Sequence, residues 1–156
     1  MNPHTELPVI GWREWIALPD LGIEAIKVKI DTGARSSALH AFEMETFSQN
    51  GKSMVQFKVH PYQGDTKQVV TVIGEVIETR QVRNSGGQTE LRPVIQTIVE
   101  LSGERWQIEL TLTNRDEMGF RMLLGREAVR KRFLIDSGKS YLRSSAKSHK
   151  LRQKRQ

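Results

Sequence analysis

Along most of the chain apolar residues recur every second position, the pattern of strands that rest one face on a core. Ile23 to Ile30 reads I-E-A-I-K-V-K-I and runs straight into Asp31. Val9 to Leu18, Met54 to Val59, Gln68 to Val82, Leu91 to Leu101 and Trp106 to Leu112 are further alternating or β-branched runs. Pro19-Asp20-Leu21-Gly22 reads as a turn; Asn84-Ser85-Gly86-Gly87 and Ser102-Gly103-Glu104 read as hairpin tips. Only GREAVRKRF, Gly125 to Phe133, predicts a helix, with Glu127 early and Arg130, Lys131 and Arg132 late, as the helix dipole favours. The pattern predicts one mainly β domain with a single short helix late in the chain.

Composition adds limits to that picture. The 156 residues suffice for one domain with a real core, and none is cysteine, so disulfides and thiolate metal sites are excluded. No apolar run approaches the roughly 18 residues of a membrane span, and MNPHTELPVIGW has no basic start followed by an apolar stretch. A soluble, cytoplasmic protein with no membrane contact is the expectation. The net charge of +6 is local: Arg143 to Gln156 holds six Lys and Arg and no acid, leaving 18 basic and 18 acidic residues in 1–142. The chain thus divides into a neutral body, 1–142, and a basic tail, 143–156, which its composition predicts to be disordered. That tail is either a solubilising terminus or a contact for RNA, the ribosome or another polyanion.

Asp31-Thr32-Gly33 follows the clearest strand. A carboxylate there sits at a loop tip, glycine lets the backbone approach closely, and threonine can lock the loop sideways. The same tripeptide could equally be a plain turn. One carboxylate makes a poor hydrolase, whereas two sharing a proton can activate water. With one confident copy per chain, catalysis would require the second from a twofold mate.

A second motif bears on that choice. Asp31-Thr32-Gly33-Ala34, a hairpin half-way along, and the apolar-apolar-Gly turn of Leu123-Leu124-Gly125 before a helix resemble the retropepsin-like aspartic peptidases. KIDTGARSSALHA with RPVIQT, ELTLTNRDEM and FRMLLGR is similar to the bacterial members labelled "ATP-dependent zinc protease", a family associated with RimK-type glutamate ligases; the likeness covers residues 9 to 142. It implies a closed or nearly closed acid-protease barrel acting as a homodimer, with no cofactor. Asp31 would be the catalytic carboxylate, Thr32 the lock across the dimer axis, and Gly33 and Ala34 the backbone around the substrate. Arg80 to Arg92 around Gly86 and Gly87 would form the flap, the hairpin that closes over bound peptide. Where the retroviral pattern often has an acid after Asp-Thr-Gly-Ala, this chain has Arg35. Arg35, Arg80, Arg83, Arg92 and Arg126 then form a set that could hold carboxylates. With the ligase association they imply an acidic, glutamate-rich protein tail as substrate; otherwise they are scattered surface charge.

Rival readings remain open at this level. A dimeric module that binds acidic tails or the ribosome without turnover is one, and a zinc peptidase another. For zinc, His40 and His60 are the candidates and have no ligand spacing, so no metal site is assigned. Asp136-Ser137-Gly138 repeats the acid-hydroxyl-glycine pattern, but too little chain follows for a second lobe, and it reads as a hairpin turn. Trp12, Trp15 and Trp106 are expected in the core or at a subunit contact.

Overall fold

The computed structural model describes residues 6–62, 64–84, 86–115 and 119–145. It is mainly β with one short helix. Trp12 divides the first apolar run into β1 (Val9–Gly11) and β2 (Arg13–Leu18). Its N–H donates to the Lys139 carbonyl while its own carbonyl accepts from Ile30, each at 2.8 Å, so the residue faces two neighbours and breaks the ladder. β3 (Ile23–Asp31) follows a 3-10 turn ended by Gly22 at φ 73°. Next come β4 (Ser37–His40), β5 (Phe42–Gln49), β6 (Lys52–Val59) and β7 (Val70–Glu75).

The Gln68–Val82 run is two strands, because the chain changes partner within it. β7 pairs with β6, whereas β8 (Glu78–Arg83) pairs with β9 (Thr89–Leu101). At the switch, Val76 donates to Ser53 and Ile77 to Val94. β10 (Glu104–Thr113), β11 (Met122–Gly125), α1 (Arg126–Val129) and β12 (Leu134–Asp136) complete the elements of the described residues. The helix is shorter than its sequence suggests: Arg130 is already extended at ψ 139°, and Lys131 takes φ 64°.

The strands form sheets of seven, three and two: β10-β4-β11-β3-β2-β9-β8, β5-β6-β7 and β1-β12. β10 also pairs with β9, so neighbour relations run in a circuit from β10 through β4, β11, β3, β2 and β9 back to β10. Ile16, Ile26, Leu39, Leu110 and Leu124 from these strands belong to one core cluster and are essentially without exposure. Alternation drives much of this arrangement, since β2, β3, β6, β9 and β10 each commit one face to the same apolar core. Trp106 is buried against Phe133 and donates its indole N–H to the Ala128 carbonyl at 3.0 Å; Trp12 and Trp15 are half-buried. No helix among the described residues is long and apolar enough to cross a membrane.

The end of the body is fastened by one buried carboxylate. Glu14, with 0% exposure, accepts from the backbone N–H groups of Gly11 (2.6 Å), Leu142 (2.9 Å) and Arg143 (3.2 Å) and from the Ser144 hydroxyl (2.6 Å). Ser144 in turn accepts from the Trp15 N–H at 2.7 Å. Arg143 and Ser144 of the basic segment are therefore held to the body, and 146–156 lie outside the described residues. Ending the chain after Ser145 should leave the melting temperature unchanged. Ending it after Leu142 strips two donors from a buried carboxylate, costing about 1–3 kcal/mol and several degrees of Tm. Equal melting of the two truncations, followed by calorimetry, would contradict this clamp.

Candidate active site

Asp31 ends β3, where alternation places Ile30 inward and leaves the acid half-exposed. Its Oδ1 accepts the Gly33 N–H at 3.2 Å, and its carbonyl accepts the Ala34 N–H at 3.2 Å, which closes a tight turn. The turn is clasped from the other side. β11 runs parallel to β3 with Gly125 opposite Asp31. The Ser37 hydroxyl accepts the Gly125 N–H at 3.0 Å, the Ala34 carbonyl accepts the Arg126 N–H at 2.8 Å, and the Arg126 guanidinium donates to the Thr32 carbonyl at 3.1 Å. Glycine is required at 125 by space: a Cβ there would lie 2.5 Å from the Ser36 carbonyl oxygen.

Asp31 opens on a cleft of about 600 Å³, with Gly33, Ala34, Arg35 and Ser36 on one side. The other side comes from Arg80 to Asn84 and Arg92. The β8–β9 hairpin thus faces the acid, with Arg80 opposite Arg92 and Arg83 opposite Thr89. Its tip is organised by Asn84, whose Oδ1 accepts from Gly86 (2.9 Å) and Gln88 (3.1 Å). Gly87 beside it takes φ 82°. A second cavity of about 410 Å³ lies across Ser36 and Arg80, with Arg35 on its wall as well.

The five arginines differ in what they already hold. Arg80 donates to Glu78 (2.6 Å), Glu109 (2.8 Å) and, at a long 3.4 Å, the Ser36 hydroxyl. The Glu109 hydrogen bond foremost, reinforced by Glu78, raises its pKa against the lowering effect of burial. Arg92 is 3% exposed and ion-paired with Glu90 at 2.9 Å. Burial pushes the Glu90 carboxyl up, but the Thr113 hydroxyl, Arg92 and Arg115 outweigh it and leave the acid below its usual range. Arg126 is exposed, and one of its guanidinium nitrogens donates to the Thr32 carbonyl. Arg35 and Arg83 are exposed, with no side-chain partner among the described residues.

Sequence reasoning did not single out Ser37, Thr111 or Glu109. Ser37 and Thr111 act on the Asp31 loop through contacts 88 and 74 residues apart, which no local spacing encodes. Of the histidines, His60 stacks on Phe42 at 4.4 Å and contacts the Gln68 carbonyl, while His40 lines a small gap with Phe120 and Arg121. Among the described residues no three His, Asp or Glu side chains gather where a metal ion could be held.

Asp136 repeats the Asp31 arrangement in miniature. Its Oδ1 accepts the Gly138 N–H at 3.0 Å and its carbonyl the Lys139 N–H at 3.2 Å. A glycine, Gly11, again stands opposite on a parallel strand, and the next residue, Trp12, donates to the third residue beyond the acid at 2.8 Å. The chain then continues beside β2, with Tyr141 donating to Arg13, and does not return along β12 as a hairpin. Asp136 lines neither cavity described above.

The strand-end Asp-Thr-Gly turn, the apolar-apolar-Gly strand that clasps it and the β8–β9 hairpin are the three features on which the sequence resembles the retropepsin-like class. The chain belongs to the RimB-like family, described as "Retropepsin-like aspartic endopeptidase RimB", which matches residues 9–146. Curated relatives are named "Probable alpha-L-glutamate ligase". One from Desulfotalea psychrophila is 49% identical over 87% of this chain and 29% of its own length. Another, from Shewanella pealeana, is 44% identical over 85% of this chain and 29% of its own. The chain thus spans less than a third of these relatives. In fold it is similar to the crystal structure of Lpg0085, a protein of unknown function from Legionella pneumophila. The TM-score is 0.74 at 24% identity, covering 89% of this chain and all of that one.

Proposed function

We propose that the chain is an aspartic endopeptidase whose site is completed by a twofold mate, each subunit contributing one Asp31. The observation that carries this is the clasped turn presenting Asp31 to the hairpin-covered cleft. The circuit of strand pairings would be the acid-protease barrel of that class. Two Asp31 carboxylates a few ångströms apart would share one proton, because both cannot ionise. The ionised carboxylate takes a proton from the attacking water while the protonated one donates to the scissile carbonyl oxygen. Collapse of the resulting gem-diol then delivers a proton to the departing amine. Thr32 would face its counterpart across the axis, and the hairpin tip at Gly86 and Gly87 would close over the peptide.

The substrate is read as an acidic, glutamate-rich protein tail. Arg35 and Arg83 have guanidiniums free for its carboxylates and border the Asp31 cleft, and a twofold axis doubles them. Relatives that carry this region within a longer chain named a glutamate ligase favour glutamate as the recognised residue. The test is hydrolysis of peptides ending in several glutamates, against neutral peptides of equal length. Arg35→Ala and Arg83→Ala should each raise KM for the acidic peptide about tenfold, less in high salt, and leave neutral peptides unaffected. Specific activity should fall as the protein is diluted below its dimer dissociation constant. Constant specific activity down to monomeric protein would sink the shared site, and binding without turnover would identify a recognition module instead.

A further inference from the structure

The hairpin and the Asp31 loop are tied together from both strands of the hairpin. Arg80 on β8 and Arg92 on β9 are directly paired in register. From β8, the Arg80 guanidinium reaches the Ser36 hydroxyl at 3.4 Å while Glu78 and Glu109 hold its other nitrogens. From β9, the Arg92 guanidinium donates to the Thr111 hydroxyl at 3.4 Å, and that hydroxyl donates to the Ser37 carbonyl at 3.0 Å. Ser37 then holds Gly125, which stands opposite Asp31. Two routes, one per strand, therefore end on consecutive residues, Ser36 at the end of the loop and Ser37 at the start of β4.

Neither arginine is placed to wait for a substrate carboxylate. Arg92 is 3% exposed and already ion-paired, and moving Arg80 to a ligand would break charge-assisted bonds to two carboxylates. What both can do is transmit position. Bonds of 3.4 Å are long and leave room to tighten, as catalytic contacts commonly do when a site closes.

We infer that Arg80 and Arg92 are positioning residues that couple the β8–β9 hairpin to the Asp31 loop, so that closing the hairpin sets the loop geometry. This rests on the reading of Asp31 as the reacting carboxylate only for its kinetic consequence, while the mechanical coupling stands without it. The substitutions that test it lie on the loop side and change no charge: Ser36→Ala and Thr111→Val.

Hydrogen exchange of the intact protein, with no ligand added, reads the coupling. Each substitution should speed exchange of the hairpin amides, residues 79–84 and 88–92, about three- to tenfold, with the β5–β7 sheet unchanged. Unchanged hairpin exchange in both variants overturns the proposal, whatever the activity; should Thr111→Val not fold, the half-exposed Ser36→Ala decides alone. In the active protein, Ser36→Ala and Arg80→Gln should each lower kcat on a glutamate peptide several-fold with KM unchanged. The double variant should be no slower than either single one, because both cut the same link. Additive losses, or a KM rise confined to acidic peptides on Arg80→Gln, would instead make Arg80 a substrate ligand. A wild-type protein that hydrolyses nothing would refute the proposed function and leave the exchange result to decide the coupling.

Discussion

Asp31→Asn is expected to lower hydrolysis by about 10²–10⁴-fold or more while the protein stays folded and keeps its oligomeric state. The amide oxygen of Asn can still accept the Gly33 N–H, so the turn survives. What disappears is the ability to hold and pass on a proton. Asp136→Asn is the matched control, since it makes the same change in a turn of the same geometry that borders neither cavity. It should leave kcat and KM at wild-type values. Full activity in purified Asp31→Asn would rule out the paired-carboxylate mechanism, and an equal loss in Asp136→Asn would point to turn stability as the cause.

Gly125→Ala is the second large effect. Gly125 has an ordinary φ of −85°, so the conformation suits alanine; the obstacle is steric. The added methyl would lie 2.5 Å from the Ser36 carbonyl oxygen and 3.0 Å from that of Ala34, both backbone atoms of the loop. The loop or β11 must move. Overpacking of this kind costs about 1–3 kcal/mol, and a shift of about 1 Å at the reacting group can cost a further 10² in rate. Gly74→Ala, where the nearest atom is a flexible Ile95 methyl at 3.6 Å, should be close to neutral in both respects. Urea denaturation and kcat measured on the two variants check the contrast; wild-type activity in Gly125→Ala would show that the clasp tolerates more room than the geometry allows.

How far the sequence carried depends on the kind of force at each place. β3 and β9 were legible because a buried face stamps its alternation on the residues. β5 was not: FEMETFSQ is mostly exposed, so nothing obliges its residues to alternate cleanly. The split of the Gln68–Val82 run was hidden as well, because the chain exchanges β6 for β9 through contacts that no short window contains. At the candidate site, the Asp31-Thr32-Gly33 turn and the hairpin around Gly86 and Gly87 were readable as local structure. The arginines were readable only as charges. Whether each is free or committed is decided by Glu78, Glu90, Glu109 and the Thr32 carbonyl, which reach them across strands.

The pairing of β1 with β12 bears on how the molecule is made. Val9 lies beside Leu134 and Gly11 beside Asp136, in parallel, and Glu14 then holds Leu142 to Ser144. The parallel pairs β3–β11 and β4–β10 also join distant parts of the chain. Loops that long must be closed before their contacts reward them, which places folding at the slow end, about milliseconds to seconds. During synthesis the first strand emerges long before its partner, so Val9, Ile10 and Gly11 wait with an unpaired edge until residue 136 is free. The Asp31 turn is in the same position, since the strand that clasps it begins at Met122. A partly made chain therefore carries the acid but not its clasp, and the clasped turn can exist only once nearly the whole body has been synthesised.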